Sequence, residues 1–462
     1  MKIHLMAVGG TGMGALAGLL KAQGHEVSGC DKPLYSPMKE SIEALDINFL
    51  EGHSPAHSEL KPDAVVIGNA IHKDNDEAKK FIESGAKYFS MAEAIHEFAV
   101  KGRRSVVAAG THGKTTCTAL LGFLFKEAGL RPNMILGGIS KNYMTSYLWG
   151  GGDWTIIEGD EYETAFFDKG PKFLHYDPRI LLLNNIEMDH LDNFKNEKEL
   201  ITAFAKLLAV MGKESVICAG SESPPVADLM TETDLPHESF GISGAENWSA
   251  SNIRYRREGT FFRLIHKGRD AGHFLSPMYG AHNLRNVLGA IAAASAADIP
   301  VDSLREMLPY FQGVKRRQEI VIQKNGITVV DDFAHHPTAI YETVKALRQR
   351  FNPTRVVACW EPRSYTCQTK LHESRMPQAF LYANTVLLGP FPQGSKIPDE
   401  ERMNLGHVAE ALRALGKEAL VCASESDHLG YLGKNMKEGD LIAFFSSGNF
   451  YDLPAKTAEM IA

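Results

Sequence analysis

Short runs of β-branched and apolar residues alternate with longer stretches of helical periodicity from one end of this chain to the other. That alternation leaves few folds open, because each strand–helix–strand passage returns the chain to the same sheet edge, setting strands parallel with helices over them. The pattern predicts an α/β protein. At 462 residues the chain exceeds what one core holds, so about two to four domains are expected. Breaks in the alternation favour three, at 1–103, 104–313 and 314–462. In the first, strands are predicted at Ile3–Val8, Glu26–Cys30, Asn48–Leu50 and Ala64–Ile67, with helices near Gly12–Gln23, Pro37–Leu45 and Asp76–Ser84. The charged Lys101–Arg104 stretch reads as a linker. A strand at Ser105–Ala109 and an apolar helix from Lys114 to Ala128, stopped by Gly129, open the second. Strands Trp154–Glu158 and Ile180–Asn184 follow, then short antiparallel strands and turns over 220–280. After Gly313 the alternation restarts with Ile327–Asp331, a helix Pro337–Phe351, Arg355–Cys359, Thr385–Leu388, a helix Met403–Leu415, Ala419–Cys422 and Leu441–Phe445. The first and third domains are expected to be Rossmann-like, the central one of P-loop ATPase type.

Composition narrows the function classes. With 44% hydrophobic and 23% charged residues the chain can bury a core. A net charge of -7 argues against nucleic-acid binding through a basic surface, while leaving room for a local phosphate pocket. The cysteines (Cys30, Cys117, Cys218, Cys359, Cys367, Cys422) are scattered without a CxxC pair, which fits a reducing compartment. Met1–Gly14 runs straight into a strand and glycine turn with no export-signal pattern, and the Ala-rich Val287–Ile299 stretch is too short to span a bilayer. A cytoplasmic protein without membrane partners is expected; the sequence is silent on oligomeric state.

Two glycine-rich turns carry phosphate chemistry. In Gly9-Gly10-Thr11-Gly12-Met13-Gly14-Ala15, the Gly10-x-Gly12-x-x-Ala15 spacing matches the dinucleotide fingerprint, and Asp31 stands roughly 20 residues on, where an acid meets a ribose hydroxyl. Positions without side chains let backbone N–H groups approach a diphosphate at a helix N-terminus. A tight turn with close helix packing explains the same residues. The second turn, Ala108-Ala109-Gly110-Thr111-His112-Gly113-Lys114-Thr115-Thr116, follows a strand and opens a helix, as a phosphate-binding loop must. Lys114 would reach the β/γ-phosphates and the Thr115 hydroxyl a Mg²⁺ ion. Ala108 replaces the first glycine of the usual motif, and Gly110 keeps the loop free to bend.

Acidic segments Glu158-Gly-Asp-Glu161 and Asn185-x-Glu187-x-Asp189-His190 end the next predicted strands, where open α/β sheets hold ligands. Carboxylates suit a hard cation, so Glu158 and His190 are read as magnesium-side residues beside Lys114-Thr115. Further on, His282-Asn283-Leu284-Arg285-Asn286 offers amides for an adenine edge or for helix capping. Lys315-Arg316-Arg317 is either a phosphate clamp or a solvated joint. Asp331-Asp332-Phe333-Ala334-His335-His336-Pro337 ends a strand and opens a helix; its tandem histidines lack zinc-site spacing.

Taken in order, Gly-Thr-His-Gly-Lys-Thr-Thr (110–116), Glu-x-Asp-Glu (158–161), Asn-x-Glu-x-Asp-His (185–190), His-Asn-x-x-Asn (282–286), Arg-Arg (316–317) and Asp-Asp-Phe-x-His-His-Pro (331–337) resemble the signatures of the Mur ligase family along nearly the whole chain. The resemblance implies an ATP- and Mg²⁺-dependent carbon–nitrogen ligase of peptidoglycan metabolism, with a UDP-sugar on the first domain, ATP on the central one and the incoming amine on the third. Gly10, Thr11, Gly12, Met13, Gly14 and Asp31 would then face the UDP-sugar. Gly110, Thr111, His112, Gly113, Lys114, Thr115 and Thr116 would cradle ATP, with Asn283 and Asn286 at the adenine and Asp331 near the ribose. Thr115, Glu158 and His190 would hold metal, and Arg317 would reach the phosphates across the joint. Lys114, Glu158, His190 and Arg317 are the residues implied in catalysis.

Within the family, the run Phe166–Tyr176 and the sequence Glu361-Pro-Arg363-Ser-x-Thr366 resemble members that join UDP-N-acetylmuramate to the murein tripeptide L-Ala-γ-D-Glu-meso-diaminopimelate. Members that add L-alanine carry a shorter first segment and an arginine where Cys367 stands here. By this resemblance His335, His336 and Arg363 would orient the peptide, whose amine attacks an acyl phosphate. Two other classes explain less. A nicotinamide dehydrogenase leaves the second phosphate loop unused, and a nucleotide-gated binding module leaves the later motifs unused.

Overall fold

The computed structural model describes residues 1–34, 38–189, 191–395 and 397–462. Among the described residues, the strands form three large sheets and one small hairpin. The first sheet is parallel, in the order Asn48–Glu51, Glu26–Asp31, Lys2–Met6, Ala64–Ile67, Tyr88–Ser90. This order is that of a doubly wound half-sheet, with the first strand central. The glycine turn at its end opens the helix Thr11–Ala22. The predicted helix at Pro37–Leu45 appears as Met38–Ala44, with Pro37 outside the described residues. Tyr88–Ser90 was not expected as a strand; it is three residues long and runs into a helix closed by a Ser90–Glu93 capping box.

The second sheet has Arg104–Ala109 at its centre, flanked in parallel by Trp154–Gly159 and Pro178–Leu183. Arg104 therefore belongs to a strand rather than to the expected linker, and its guanidinium lies 4.3 Å over the Trp154 ring. Beyond Pro178–Leu183 come Val216–Gly220, His237–Gly241 and an antiparallel extension of Trp248–Arg256, Gly259–His266 and Arg269–Ser276. The 220–280 stretch is antiparallel in part, as expected, but its last strands are eight or nine residues long and belong to the main sheet. Trp248–Arg256 becomes alternately exposed along its second half, so its outward residues are polar and imitate turns. The helices Glu197–Val210 and Pro224–Thr231 also escaped the sequence reading. The phosphate-loop helix Lys114–Glu127 and the Ala-rich helix Ala281–Ala296 pack together. Buried Leu120, Leu124 and Phe125 on the former each contribute on the order of 2 kcal/mol.

The third sheet runs Glu319–Lys324, Ile327–Asp332, Asp440–Phe445, Arg355–Trp360, Thr385–Leu388, Glu418–Val421, parallel except for its first, antiparallel edge strand. Apolar clusters on both faces close it as a unit of its own. The first two sheets instead share one continuous apolar cluster. Gly18 makes this possible: a Cβ there would lie 2.2 Å from Cε1 of Tyr147, so the first-domain helix can press directly on a central-domain strand. No described helix is long and apolar enough to cross a membrane.

Candidate functional site

The central strand Arg104–Ala109 delivers the chain to the loop 110–113 at the carboxyl edge of the second sheet. Ala108 pairs with Glu158 and Ala109 with Leu183, so both acidic segments emerge beside that loop. Gly110 has φ +125 and Gly113 φ +87, the conformations that favour glycine. Space reinforces the demand: a Cβ on Gly113 would stand 2.3 Å from Asn286 Oδ1 and 2.4 Å from Asn184 Nδ2. Asn185 fixes the loop by accepting from Thr111 N at its carbonyl (2.8 Å) and from His112 N at Oδ1 (3.0 Å). The helix Lys114–Glu127 begins at Gly113 with no side-chain cap, leaving its first-turn N–H groups for an anion.

Around this turn lies a cavity of about 820 Å³, lined by the loop, both acidic segments, Asn283, Asn286, Arg317 and Phe333 to His336. Lys114 Nζ donates to both oxygens of Glu161, at 2.9 and 2.7 Å. Burial alone would lower the Lys114 ammonium, but Glu161, Asp160 and Glu158 outweigh it and hold it above its ordinary value. Thr115 Oγ1 donates to Glu158 Oε1 at 2.8 Å, and Gly137 N donates to Glu158 Oε2 at 2.8 Å. Burial pushes the Glu158 carboxyl up despite Lys114. A buried carboxylate beside a hydroxyl at a phosphate loop suits a hard divalent cation, so the residues present fit magnesium. His190 lies outside the described residues.

The joint to the third domain carries backbone strain: Arg316 has φ +59 and Gln318 φ +50. The two arginines there diverge. Arg316 Nε turns into the third domain and donates to Asp331 at 3.0 Å, whereas Arg317 Nη2 donates to Thr115 Oγ1 at 3.2 Å, with its guanidinium 4.7 Å over Phe333. Burial, partly offset by Arg316, pushes the Asp331 carboxyl up to about 6. Asp331 is thus an ion-pair partner outside the cavity lining, where Asp332 stands instead. Asn286 is nearly buried, accepts from Asn184 Nδ2 at 3.1 Å and donates to Asn283 Oδ1 at 3.2 Å, so its amide braces the loop from within. Asn283 also donates to Tyr279 O at 2.9 Å.

Glu187 ties the two domains together. Its Oε1 accepts from Arg375 Nη2 at 2.6 Å and from Thr338 Oγ1 at 2.8 Å, and its Oε2 lies 3.3 Å from His112 Nε2. Burial would raise this carboxyl, but His112, His336 and Arg375 hold it well below the usual range. His336 is buried and caps its helix by accepting from Thr338 N at 3.3 Å; burial lowers its imidazole strongly. His335 Nδ1 lies 3.0 Å from Phe333 O. Arg363 does not line the cavity; its guanidinium is 44% exposed and 3.3 Å from the buried Glu361, lying against Gly448, where a Cβ would stand 2.2 Å from Arg363 Cδ.

The first glycine turn is elsewhere: none of Gly10, Thr11, Gly12, Met13, Gly14 or Asp31 lines this cavity. Asp31 Oδ2 accepts from Gly9 N at 2.8 Å and Oδ1 from Lys32 N at 2.7 Å, so it clasps the turn. The helix Thr11–Ala22 starts at Gly10 with no side-chain cap, which keeps its N-terminus open to a diphosphate. Phe166 and Phe167 of the run 166–176 pack against the first domain, the latter edge-on to Tyr88 at 5.2 Å, away from the central–third joint.

Several working residues escaped the sequence reading. Glu161 and Glu187 stood inside recognised motifs, and their density of acids was the available signal. Asn185 opened one of those motifs, Asn184 had no signal beyond adjacency to it, and Arg375 had no local signal at all, since only the fold brings it to Glu187.

Three family models match successive parts of the chain: the Mur ligase family catalytic domain over residues 2–103, the Mur ligase middle domain over 108–294 and the Mur ligase glutamate ligase domain over 316–448. The UDP-N-acetylmuramate–L-alanyl-γ-D-glutamyl-meso-2,6-diaminoheptandioate ligase of Escherichia coli (strain K12) is 32% identical over 100% of this chain and 98% of its own length. A UDP-N-acetylmuramate–L-alanine ligase of Desulforapulum autotrophicum is 29% identical with the same coverage. The crystal structure of a murein peptide ligase from Psychrobacter arcticus 273-4 superposes with a TM-score of 0.75 at 30% identity, covering 100% of this chain and 98% of that one. With a phosphate loop answered by an arginine from across a domain joint, and relatives matched end to end, the chain belongs to the Mur ligase family of ATP-dependent ligases that form carbon–nitrogen bonds.

Proposed function

We propose that this enzyme joins the lactoyl carboxylate of UDP-N-acetylmuramate to the amino group of L-Ala-γ-D-Glu-meso-diaminopimelate in the cytoplasm, as a step of peptidoglycan recycling. The sugar nucleotide is held at Gly10–Gly14 in the domain 1–103, ATP at 110–116 in 104–313, and the peptide by 314–462. A carboxylate does not condense with an amine in water until its oxygen becomes a leaving group, and ATP supplies the phosphoryl group for that. Lys114, steadied by Glu161, and Arg317, laid over Phe333, balance charge that develops on the transferring group. Thr115 and Glu158 hold Mg²⁺, with His190 as a further ligand by family resemblance.

Glu158→Gln keeps the shape of the side chain and removes its charge. The Mg²⁺ concentration for half-maximal rate should rise by about 10–100-fold, read from a Mg²⁺ titration of phosphate release. An unchanged titration makes Glu158 a structural partner of Thr115.

The choice of tripeptide rests on one observation above all: the run Glu361–Thr366 is seated across the joint, where Thr366 Oγ1 accepts from Leu191 N at 3.0 Å, and it keeps the Arg363 guanidinium half exposed. A guanidinium grips a carboxylate through two parallel hydrogen bonds, which an ammonium cannot copy. Arg363→Lys should lower kcat/KM for the tripeptide by roughly 10–100-fold and leave that for L-alanine unchanged, consistent with a lost charge-assisted pair. Equal rates for wild type and variant on the tripeptide would reduce Arg363 to a partner of Glu361. Addition of L-alanine is the second reading, favoured by the near-equal identity of the alanine ligase relative.

A further inference from the structure

Side chains of the kinds that ligate metals converge in the first domain, between its sheet, the short 3-10 helix Pro55–Leu60 and the helix Asp76–Glu83. His4, Cys30 and Glu77 are buried there, with His57 and His53 only 13% and 22% exposed. Glu77 Oε1 lies 3.1 Å from His4 Nε2, 3.0 Å from His57 Nδ1 and 3.2 Å from Cys30 Sγ. Its Oε2 lies 3.4 Å from His53 Nδ1 and accepts from Ser54 N at 2.9 Å. His53 Nδ1 also lies 3.3 Å from Cys30 Sγ. His4, Cys30, His57 and the Ser54 amide together fill the roughly four lone-pair sites that a carboxylate offers.

The same convergence suits a divalent cation. The donor atoms of His4, Cys30, His57 and Glu77 all lie within 4.8 Å of one another. Tetrahedral zinc, with bonds of about 2.0–2.3 Å, sets its ligands roughly 3.3–3.8 Å apart, a spacing that small side-chain shifts would reach. One thiolate and one carboxylate cancel a divalent charge, which is the condition for burying it. The outer partners are in place: His4 Nδ1 lies 2.9 Å from Ser28 Oγ, which presents Nε2 to the cluster, and Ser54 N steadies Glu77. Mixed nitrogen, sulfur and oxygen donors of this kind select zinc over magnesium or calcium.

We infer that His4, Cys30, His57 and Glu77 form a tetrahedral Zn²⁺ site in the first domain, with His53 at its rim. On binding, the Cys30 thiol loses its proton to solvent and a sulfur–zinc bond forms, while both imidazoles ligate as neutral rings. Metal binding displaces that proton, so affinity falls as pH falls. The site also steadies the first glycine turn. The Cys30 carbonyl accepts from Ala7 N at 2.8 Å and Val8 N at 3.2 Å, and the next residue, Asp31, clasps Gly9.

The full-length protein, stripped with a chelator and titrated with Co²⁺, tests the site by absorption without reference to activity. About one equivalent should bind with a near-ultraviolet thiolate-to-cobalt band and intense visible bands of tetrahedral cobalt, all bleached by Zn²⁺. Cys30→Ser should lose the near-ultraviolet band, and Glu77→Gln should weaken Zn²⁺ binding by at least about tenfold. Cobalt beside Glu158 has no cysteine ligand in this assignment and gives no such band, so the two sites read separately. Absence of a thiolate band in the wild-type protein, an outcome that needs no variant to fold, overturns the proposal. An unchanged band in Cys30→Ser overturns it equally.

Discussion

Lys114→Ala should lower the ligation rate by on the order of 10³-fold or more while UDP-N-acetylmuramate binding stays within about twofold of wild type. The ammonium sits at the start of the phosphate-loop helix and is held by both oxygens of Glu161, so its position is set before nucleotide arrives. Its removal takes away charge compensation that grows as the phosphoryl group transfers, and such interactions act on the rate more than on ground-state affinity. The truncation also leaves Glu161 without its cation in a buried setting, which adds a stability cost of about 1–3 kcal/mol. Calorimetry with the sugar nucleotide separates the effects: the first glycine turn lies outside the ATP cavity and should keep its ligand. Loss of sugar-nucleotide binding with preserved turnover would reverse the two assignments.

Arg317→Ala should cost roughly 10²–10³-fold in rate, because this guanidinium comes from beyond the joint and reaches Thr115 only when the domains meet. Burial already disfavours its charge, which Asp332 and Glu158 support, so a nearby triphosphate would find a poorly solvated cation. The neighbouring Arg316→Ala should behave differently. Its donors are spent on Asp331 and on the carbonyls of Ser446 and Gly448, so its loss should lower the melting temperature more than it alters the response to ATP. Steady-state kinetics at varied ATP, alongside thermal unfolding of both variants, distinguish the roles. Equal kinetic defects in the two would remove Arg317 from the phosphate site.

The parallel strands were legible because burial on both faces makes them continuous apolar runs; Ala64–Ile67 and Thr385–Leu388 appear with the bounds expected. Half-exposed strands such as Trp248–Arg256 were legible only as short strands among turns, without their length or bounds, since their outward residues are those of loops. The phosphate loop was legible for a different reason: glycines at positive φ and a lysine at a helix start leave a local signature that needs no partner. Contacts across the joint leave none. Glu187 and Arg375 are far apart in sequence, and nothing near either residue announces the other. Asp331 and Asp332 show the limit within a motif: adjacent strand residues face opposite ways, and which one meets the cavity depends on register against the neighbouring strands. Asp31, which spacing alone sets near a ribose, also clasps the glycine turn, a contact that spacing does not reveal.

The amine substrate is tested most directly by measuring phosphate release from ATP with UDP-N-acetylmuramate and, in parallel, L-Ala-γ-D-Glu-meso-diaminopimelate, L-Ala-γ-D-Glu and L-alanine. Contacts to the distant carboxylates hold the attacking amine in place, so truncation should lower turnover as well as affinity. The expected result is kcat/KM for the tripeptide at least about 100-fold above that for L-alanine, with the dipeptide between them. Comparable values for tripeptide and L-alanine would contradict the account and make this enzyme an alanine-adding ligase.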